Sequence, residues 1–231
     1  MRQITFQKVL ETSTVPQANL GEVAQTPDGR QWVYVKANEA LSLGHALTRI
    51  ANVDVDTVSS STDENSEITK ITEAAAGWTA GAYADAYVLV DDGTGAGQFT
   101  KVKTNDATTL FLYRDYRLTT ALAVADSDIF IVRPHLAEKA AVTVLHQIPT
   151  GIAQVAFAAN EYGFALTRGA GVVVAGAALV ANELCTPGDD TEGEVITITN
   201  GETPDDVSSF GRCLAANASA DKGAMVDAMM W

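Results

Sequence analysis

The chain has 231 residues, 47% hydrophobic and 19% charged, a balance that belongs to folded globular proteins and excludes a disordered chain. Asp and Glu number 29 against 15 Lys and Arg, giving a formal charge of −14; this opposes close approach to phosphate backbones and anionic lipid, so neither nucleic acid nor membrane is an expected partner. The longest run without a charged or strongly polar residue, 169–181, is too short to span a bilayer, no apolar stretch follows the N-terminal cations, and synthesis in a cytoplasm is expected.

Residues 1–20 keep neither a helical nor a strand period and are interrupted by Pro16, so they read as an extended N-terminal arm. Ile4, Phe6 and Val9 supply apolar anchors. Thr5 and Gln7 alternate with the first two as an added edge strand requires, and Arg2 and Lys8 bring positive charge to an acidic chain. Arg2, Ile4, Phe6, Lys8 and Val9 are therefore the candidate contact residues of an attachment arm, the alternative being an arm folded back on its own subunit. Beyond Gly21, residues 22–25 and 31–36 flank Thr26-Pro27-Asp28-Gly29, a hairpin with Pro and Gly in turn roles. Residues 41–47, broken by Gly44, fit a strand or a short helix. Residues 54–67 are acidic and serine-rich and read as an exposed linker or loop.

Short β-prone runs follow at 68–73, 82–90, 98–102, 110–113 and 129–132, closed by Arg133-Pro134, after which residues 136–141 read as a short helix. The last third returns to strands at 152–158, 164–167, 172–174, 194–199, 212–215 and 224–229, with acidic turns at 188–190 and 200–206. Residues 34–47 and 164–179 echo one another, each an aromatic-led strand followed by alanine and glycine before a leucine, but the echo falls short of a repeat. The predicted fold is mainly β: a barrel or sandwich core from residues 21–50 plus 140–231, a second β module inserted at 51–139, and the arm at 1–20.

The segment from Tyr87 to Lys103 looks at first like a nucleotide loop. Asp92-Gly93-Thr94-Gly95-Ala96-Gly97 is followed by Gln98-Phe99-Thr100, which continues in strand chemistry, whereas a phosphate site needs the glycines to open a helix. A glycine-rich turn between antiparallel strands is expected instead. His45, His135 and His146 lack metal-site spacing; the acidic pairs Asp54/Asp56, Asp91/Asp92, Asp126/Asp128 and Asp205/Asp206 fit no twelve-residue calcium loop, although a loose site assembled from separate loops stays open. No serine or cysteine lies in a recognised catalytic context, and nothing selects two of the 29 acids as a hydrolytic pair. Cys185 and Cys213 are expected to be reduced and buried or half-buried. Trp32, Tyr34, Trp78, Tyr83, Tyr113 and Tyr116 suit a sugar-binding face or, more simply, a core. No catalytic residue, cofactor or metal is assigned.

Gly21-Glu22-Val23-Ala24-Gln25-Thr26-Pro27-Asp28-Gly29-Arg30 with Trp32-Val33-Tyr34-Val35-Lys36-Ala37, and residues 151–184 with Tyr162-Gly163-Phe164 leading through Thr167-Arg168-Gly169, resemble the small virion structural proteins of tailed bacteriophages. The turn at residues 92–98 with Lys101-Val102-Lys103-Thr104-Asn105 resembles an insert of the same group, and the likeness covers most of residues 21–185. It implies a non-enzymatic capsid decoration or cement protein on the outside of the head, partnered by the major capsid protein and self-associated as a trimer. No functional residue carries over individually. Another virion component (tail, connector or fibre) and a carbohydrate-binding β module are the alternatives.

Overall fold

The computed structural model describes residues 1–50, 53–55, 58–63, 68–124, 126–133, 135–140, 149–187, 192–197, 209–215 and 222–229. The chain divides into two units, Met1–Ile50 with His135–Trp231, and Ala51–Pro134. The first unit opens with β1 (Arg2–Gln3), a single helical turn α1 (Phe6–Val9), β2 (Val23–Gln25), β3 (Gln31–Ala37) and β4 (Ala46–Arg49). The second contributes β5 (Val53–Val55), β6 (Ser60–Asp63), β7 (Ile68–Thr72), β8 (Tyr87–Asp92), β9 (Phe99–Asn105), β10 (Thr109–Leu112) and β11 (Asp128–Val132). The chain then returns to the first with β12 (Leu136–Lys139), β13 (Pro149–Ala153), β14 (Tyr162–Ala175), β15 (Leu184–Pro187), β16 (Val195–Thr197), β17 (Gly211–Cys213) and β18 (Lys222–Met229). The fold is mainly β, as the short apolar runs and their turn residues require.

The sheet of the first unit closes on itself twice. One ring runs β3–β12–β4–β13–β14 and back to β3; the other runs β14–β16–β15–β17–β18 and back to β14. The pairings match step for step: β3–β12 and β14–β16 are parallel, and every other contact in both rings is antiparallel. Strand β14 is 14 residues long because it is a wall of both rings. Its register shifts between Leu166 and Arg168, and Gly169 at φ +101° marks the change-over. A Cβ there would lie 2.6 Å from Cγ of Arg30, so glycine is required both by conformation and by space.

The two rings match as structural repeats. Aligned on strand order, Val35, Ala37, Ala40, Leu41, Leu47 and Thr48 of the first correspond to Val173, Ala175, Ala178, Leu179, Cys185 and Thr186 of the second. A third copy of the same loop, Ala153-x-x-Ala156-Phe157-x-x-Asn160, stands opposite the first. Its turn residue Asn160 has φ +69°, as Asn182 has +69° and Gly44 +87°. Facing loops bond reciprocally: Ala37 N–H donates to Glu161 O at 2.8 Å and Ala153 N–H to His45 O at 3.0 Å, while Leu41 and Phe157 bond each other both ways at 2.9 Å. The correspondence lays residues 34–47 on residues 172–185, not on the 164–179 of the echo read in the sequence. Small residues fill the first ring, with Ala37, Ala137, Ala153 and Ala165 beside Val35, Leu41, Leu47 and Phe157, as a narrow barrel demands.

Four expectations need correction. Residues 1–20 follow the alternative of an arm folded back on its own unit: Arg2 and Gln3 pair in parallel with Ala24 and Gln25, Ile4 and Val9 are buried in its core, and Ser13 bridges Tyr162. Residues 6–9 form a helical turn, not an edge strand, with Val9 buried and Phe6 exposed. Leu136–Lys139 is a strand and not a helix; it belongs to the first unit, outside the expected 51–139 module, since Ala137 must enter the first ring between β3 and β4. Within 54–67, read as a linker, Val53–Val55 and Ser60–Asp63 are strands at opposite edges of the second unit's sheet. That sheet runs β5–β11–β8–β9–β10–β7–β6 over a core of Val88, Val90, Val102, Leu110, Ile71, Ile129 and Ile131. The acidic turns at 188–190 and 200–206 lie outside the described residues.

Candidate functional site

The outer face of β14 and β18 in the first unit bears a groove of about 710 Å³. Its floor is made by cross-strand pairs, Ala170 with Asp227 and Val172 with Met225, and the small side chains at Gly169, Ala170 and Gly171 make it concave. Leu43 and Gln154 flank one side. At the other end stand Phe6, Leu10 and Arg30. Phe6, Leu43, Val172, Met225 and Met229 are all exposed large hydrophobics, and their clustering around one concavity sets them apart from scattered surface apolar residues.

Arg30 anchors the end wall. Its guanidinium lies 4.6 Å from the centroid of the Phe6 ring and 5.6 Å from that of Trp32, and is held by Asp28, with Nη2 to Oδ2 at 2.6 Å and Nε to Oδ2 at 2.7 Å. The Thr26 hydroxyl donates to Asp28 at 2.6 Å and accepts from Trp32 Nε1 at 3.2 Å. The Arg30 side chain first, then the Thr26 hydroxyl, hold the Asp28 carboxyl down to about 2. The hairpin turn therefore also orients the Arg30 cation stacked at the groove.

Of the five arm residues, the structure brings Phe6 alone to the groove. Ile4 and Val9 pack inward; Arg2 pairs with Glu22 at 3.1 Å and Lys8 with Glu11 at 2.9 Å, both at the surface. The groove's other residues carried no sequence signal, since Met225, Met229 and Val172 look like ordinary strand residues; only the repeat, once registered, picks out their position.

The remaining candidates resolve simply. Gly93, Gly95 and Gly97 all have positive φ, at +73°, +93° and +84°, in a hairpin between β8 and β9, and the Thr94 amide and hydroxyl both donate to Asp126 Oδ2 at 2.9 Å. Trp32, Tyr34, Trp78 and Tyr83 are buried, whereas Tyr116 is exposed. Tyr113 and Lys101 both reach the Asp85 carboxylate, at 3.2 and 3.0 Å. His45 accepts a hydrogen bond from the Ser42 amide at 3.2 Å, with burial and nearby Lys139 pushing its imidazole below the ordinary range; His135 packs against Gly21. His146, Asp56, Asp205 and Asp206 lie outside the described residues, among which no group of three or more His, Cys, Asp or Glu is placed to hold a metal ion. Cys185 and Cys213 are buried and unbridged. Comparison with known protein families, curated proteins and solved structures finds no match to the chain.

Proposed function

We propose that the chain is a non-enzymatic capsid decoration or cement protein that binds the outside of a tailed-phage head, with the major capsid protein as partner and a trimer as its own assembly state. The observation that supports this best is the exposed apolar groove and rim on a rigid double-ring scaffold, a surface suited to protein contact. The resemblance of residues 21–185 to virion structural proteins points the same way. A cement acts by bridging neighbours and needs no reacting groups, and a symmetric oligomer multiplies weak contacts through effective concentration. Purified protein added to undecorated heads should co-sediment at a fixed stoichiometry; absence of binding to heads together with binding to tails or connectors would move it to another virion part.

A second reading has one observation of its own. On the outer face of the second unit's sheet Leu89 and Phe99 stand directly opposite each other and are both exposed, an apolar platform on which a sugar ring stacks. Binding on a glycan array that is lost in Phe99→Ala would favour a carbohydrate-binding module.

A further inference from the structure

The correspondence between the rings identifies what one of them lacks. In the first, the outer face of β3 and β14 carries Trp32, Tyr34, Phe164 and Leu166, and the N-terminal segment covers it. Ala24 on β2 stands opposite Trp32, Tyr34 N–H donates to Glu22 O at 3.0 Å, and Gly21 N–H donates to Tyr34 O at 2.8 Å. Ile4 and Val9 pack in the same cluster. By strand register, Trp32 corresponds to Ala170, Tyr34 to Val172, Phe164 to Met225 and Leu166 to Asp227. These four form the floor of the groove, and Ala170, Val172 and Met225 are exposed.

At Val172 this edge of β14 is held by a side chain, which an added strand displaces. Val172 N–H donates to Gln154 Oε1 at 3.0 Å, and Gln154 Nε2 donates to Val172 O at 2.9 Å. One carboxamide thus stands in for the peptide groups that Glu22 and Gly21 supply to Tyr34. On the same edge of β14, no described residue bonds the backbone of Ala170. Alanine where the first ring has Trp32, and valine where it has Tyr34, leave the volume that those rings fill.

We propose that the groove accepts an extended segment of a partner protein, which adds to β14 beside Ala170 and Val172, antiparallel as β2 is to β3, and places a large apolar side chain over Ala170. Resting on the decoration reading, the segment belongs to the shell subunit. Exposed Arg168 at the end of the floor suits a carboxylate on the incoming segment.

The first ring supplies the probe: a synthetic peptide of residues 18–27 carrying Ala24→Trp, titrated into the isotope-labelled full chain. Saturable amide shifts are expected at Ala170, Gly171, Val172 and the Gln154 carboxamide, with the unsubstituted peptide weaker by about tenfold or more because it lacks the large side chain. Ala170→Pro removes the strand's donor at an edge position that tolerates proline, and Ala170→Trp fills the groove; a native-like spectrum with no peptide binding is expected for whichever variant folds. Shifts confined elsewhere, no shifts, or undiminished binding by a folded variant would overturn the strand site. Undecorated heads then test the source. Binding by the native chain and loss in the variants supports the shell segment, whereas equal binding overturns it and leaves the decoration reading standing. If the native chain ignores heads, the decoration reading and the shell source fall together, and the peptide titration still decides whether the groove takes a strand.

Discussion

Leu41 and Phe157 exchange both backbone hydrogen bonds at 2.9 Å, and their side chains close the first ring from two facing copies of one loop. Leu179 holds the same loop position in the second ring and is equally buried, at 2% exposure for each of the three. Leu41→Ala and Leu179→Ala are each expected to destabilise the first unit by about 2–5 kcal/mol, the range for an aliphatic side chain removed from a packed core. Urea unfolding followed by tryptophan fluorescence checks this. A loss below 1 kcal/mol at either site, on the order of a surface change, would deny that the loops are equivalent closures.

The N-terminal segment separates stability from surface. Val9→Ala is expected to cost about 1–2 kcal/mol through lost burial. Phe6→Ser should cost no more than about 1 kcal/mol, mostly the Arg30 contact, while reducing binding to heads. Parallel denaturation and co-sedimentation of the two variants distinguish these roles.

The glycine turn gives a graded pair. Gly97 has φ +84° with open space around a would-be Cβ, so Gly97→Ala should cost about 1 kcal/mol from conformation alone. A Cβ on Gly93 would overlap the Asp126 carbonyl, and Gly93→Ala should cost about 3 kcal/mol or more, since backbone has to move. Equal losses measured for the two would refute this account.

Two groups carry pH signatures of opposite sign. Asp28 is depressed to about 2 from 3.8, so its support of the hairpin is present above the unfolded value and fades as pH falls through about 2. A carboxyl titration by NMR with its midpoint near that value, shifted upward in Arg30→Ala, checks it. Burial first, then neighbouring Cys213, push Cys185 up to about 12 from 9.0. Above the unfolded value the unfolded chain gains by ionising, so stability should fall as pH rises between those two limits, and less so in Cys185→Ala. At pH 8 neither buried thiol should react with a disulfide reagent until the chain is denatured.

Legibility followed local chemistry. The hairpin around Thr26-Pro27-Asp28-Gly29 and the turn at Gly93-Thr94-Gly95 were plain because their residues permit few other conformations. Leu136-Ala137-Glu138-Lys139 misled because those residue types favour helix, and only the slot between β3 and β4 makes them a strand. Gly169-Ala170-Gly171 split β14 on paper for the same reason: unbroken pairing with β18, invisible locally, carries the strand through. The groove was hidden because it is defined by what the first ring has and the second lacks. The signal existed in Ala-x-x-Ala-[Leu/Phe]-x-x-[Gly/Asn], present at Ala37, Ala153 and Ala175, but the inserted unit separates the first copy from the other two.

The second unit leaves the first at Ile50 and rejoins it at His135, and the Ile50 amide donates to Leu136 O at 3.0 Å. Exit and entry are thus neighbouring rungs of one ladder, a gap that a tight turn could close. The double ring can therefore keep its fold while its passenger is lengthened, exchanged or lost. In strand order the corresponding link of the other ring joins Pro187 to Val195, so the two rings would take insertions at equivalent places.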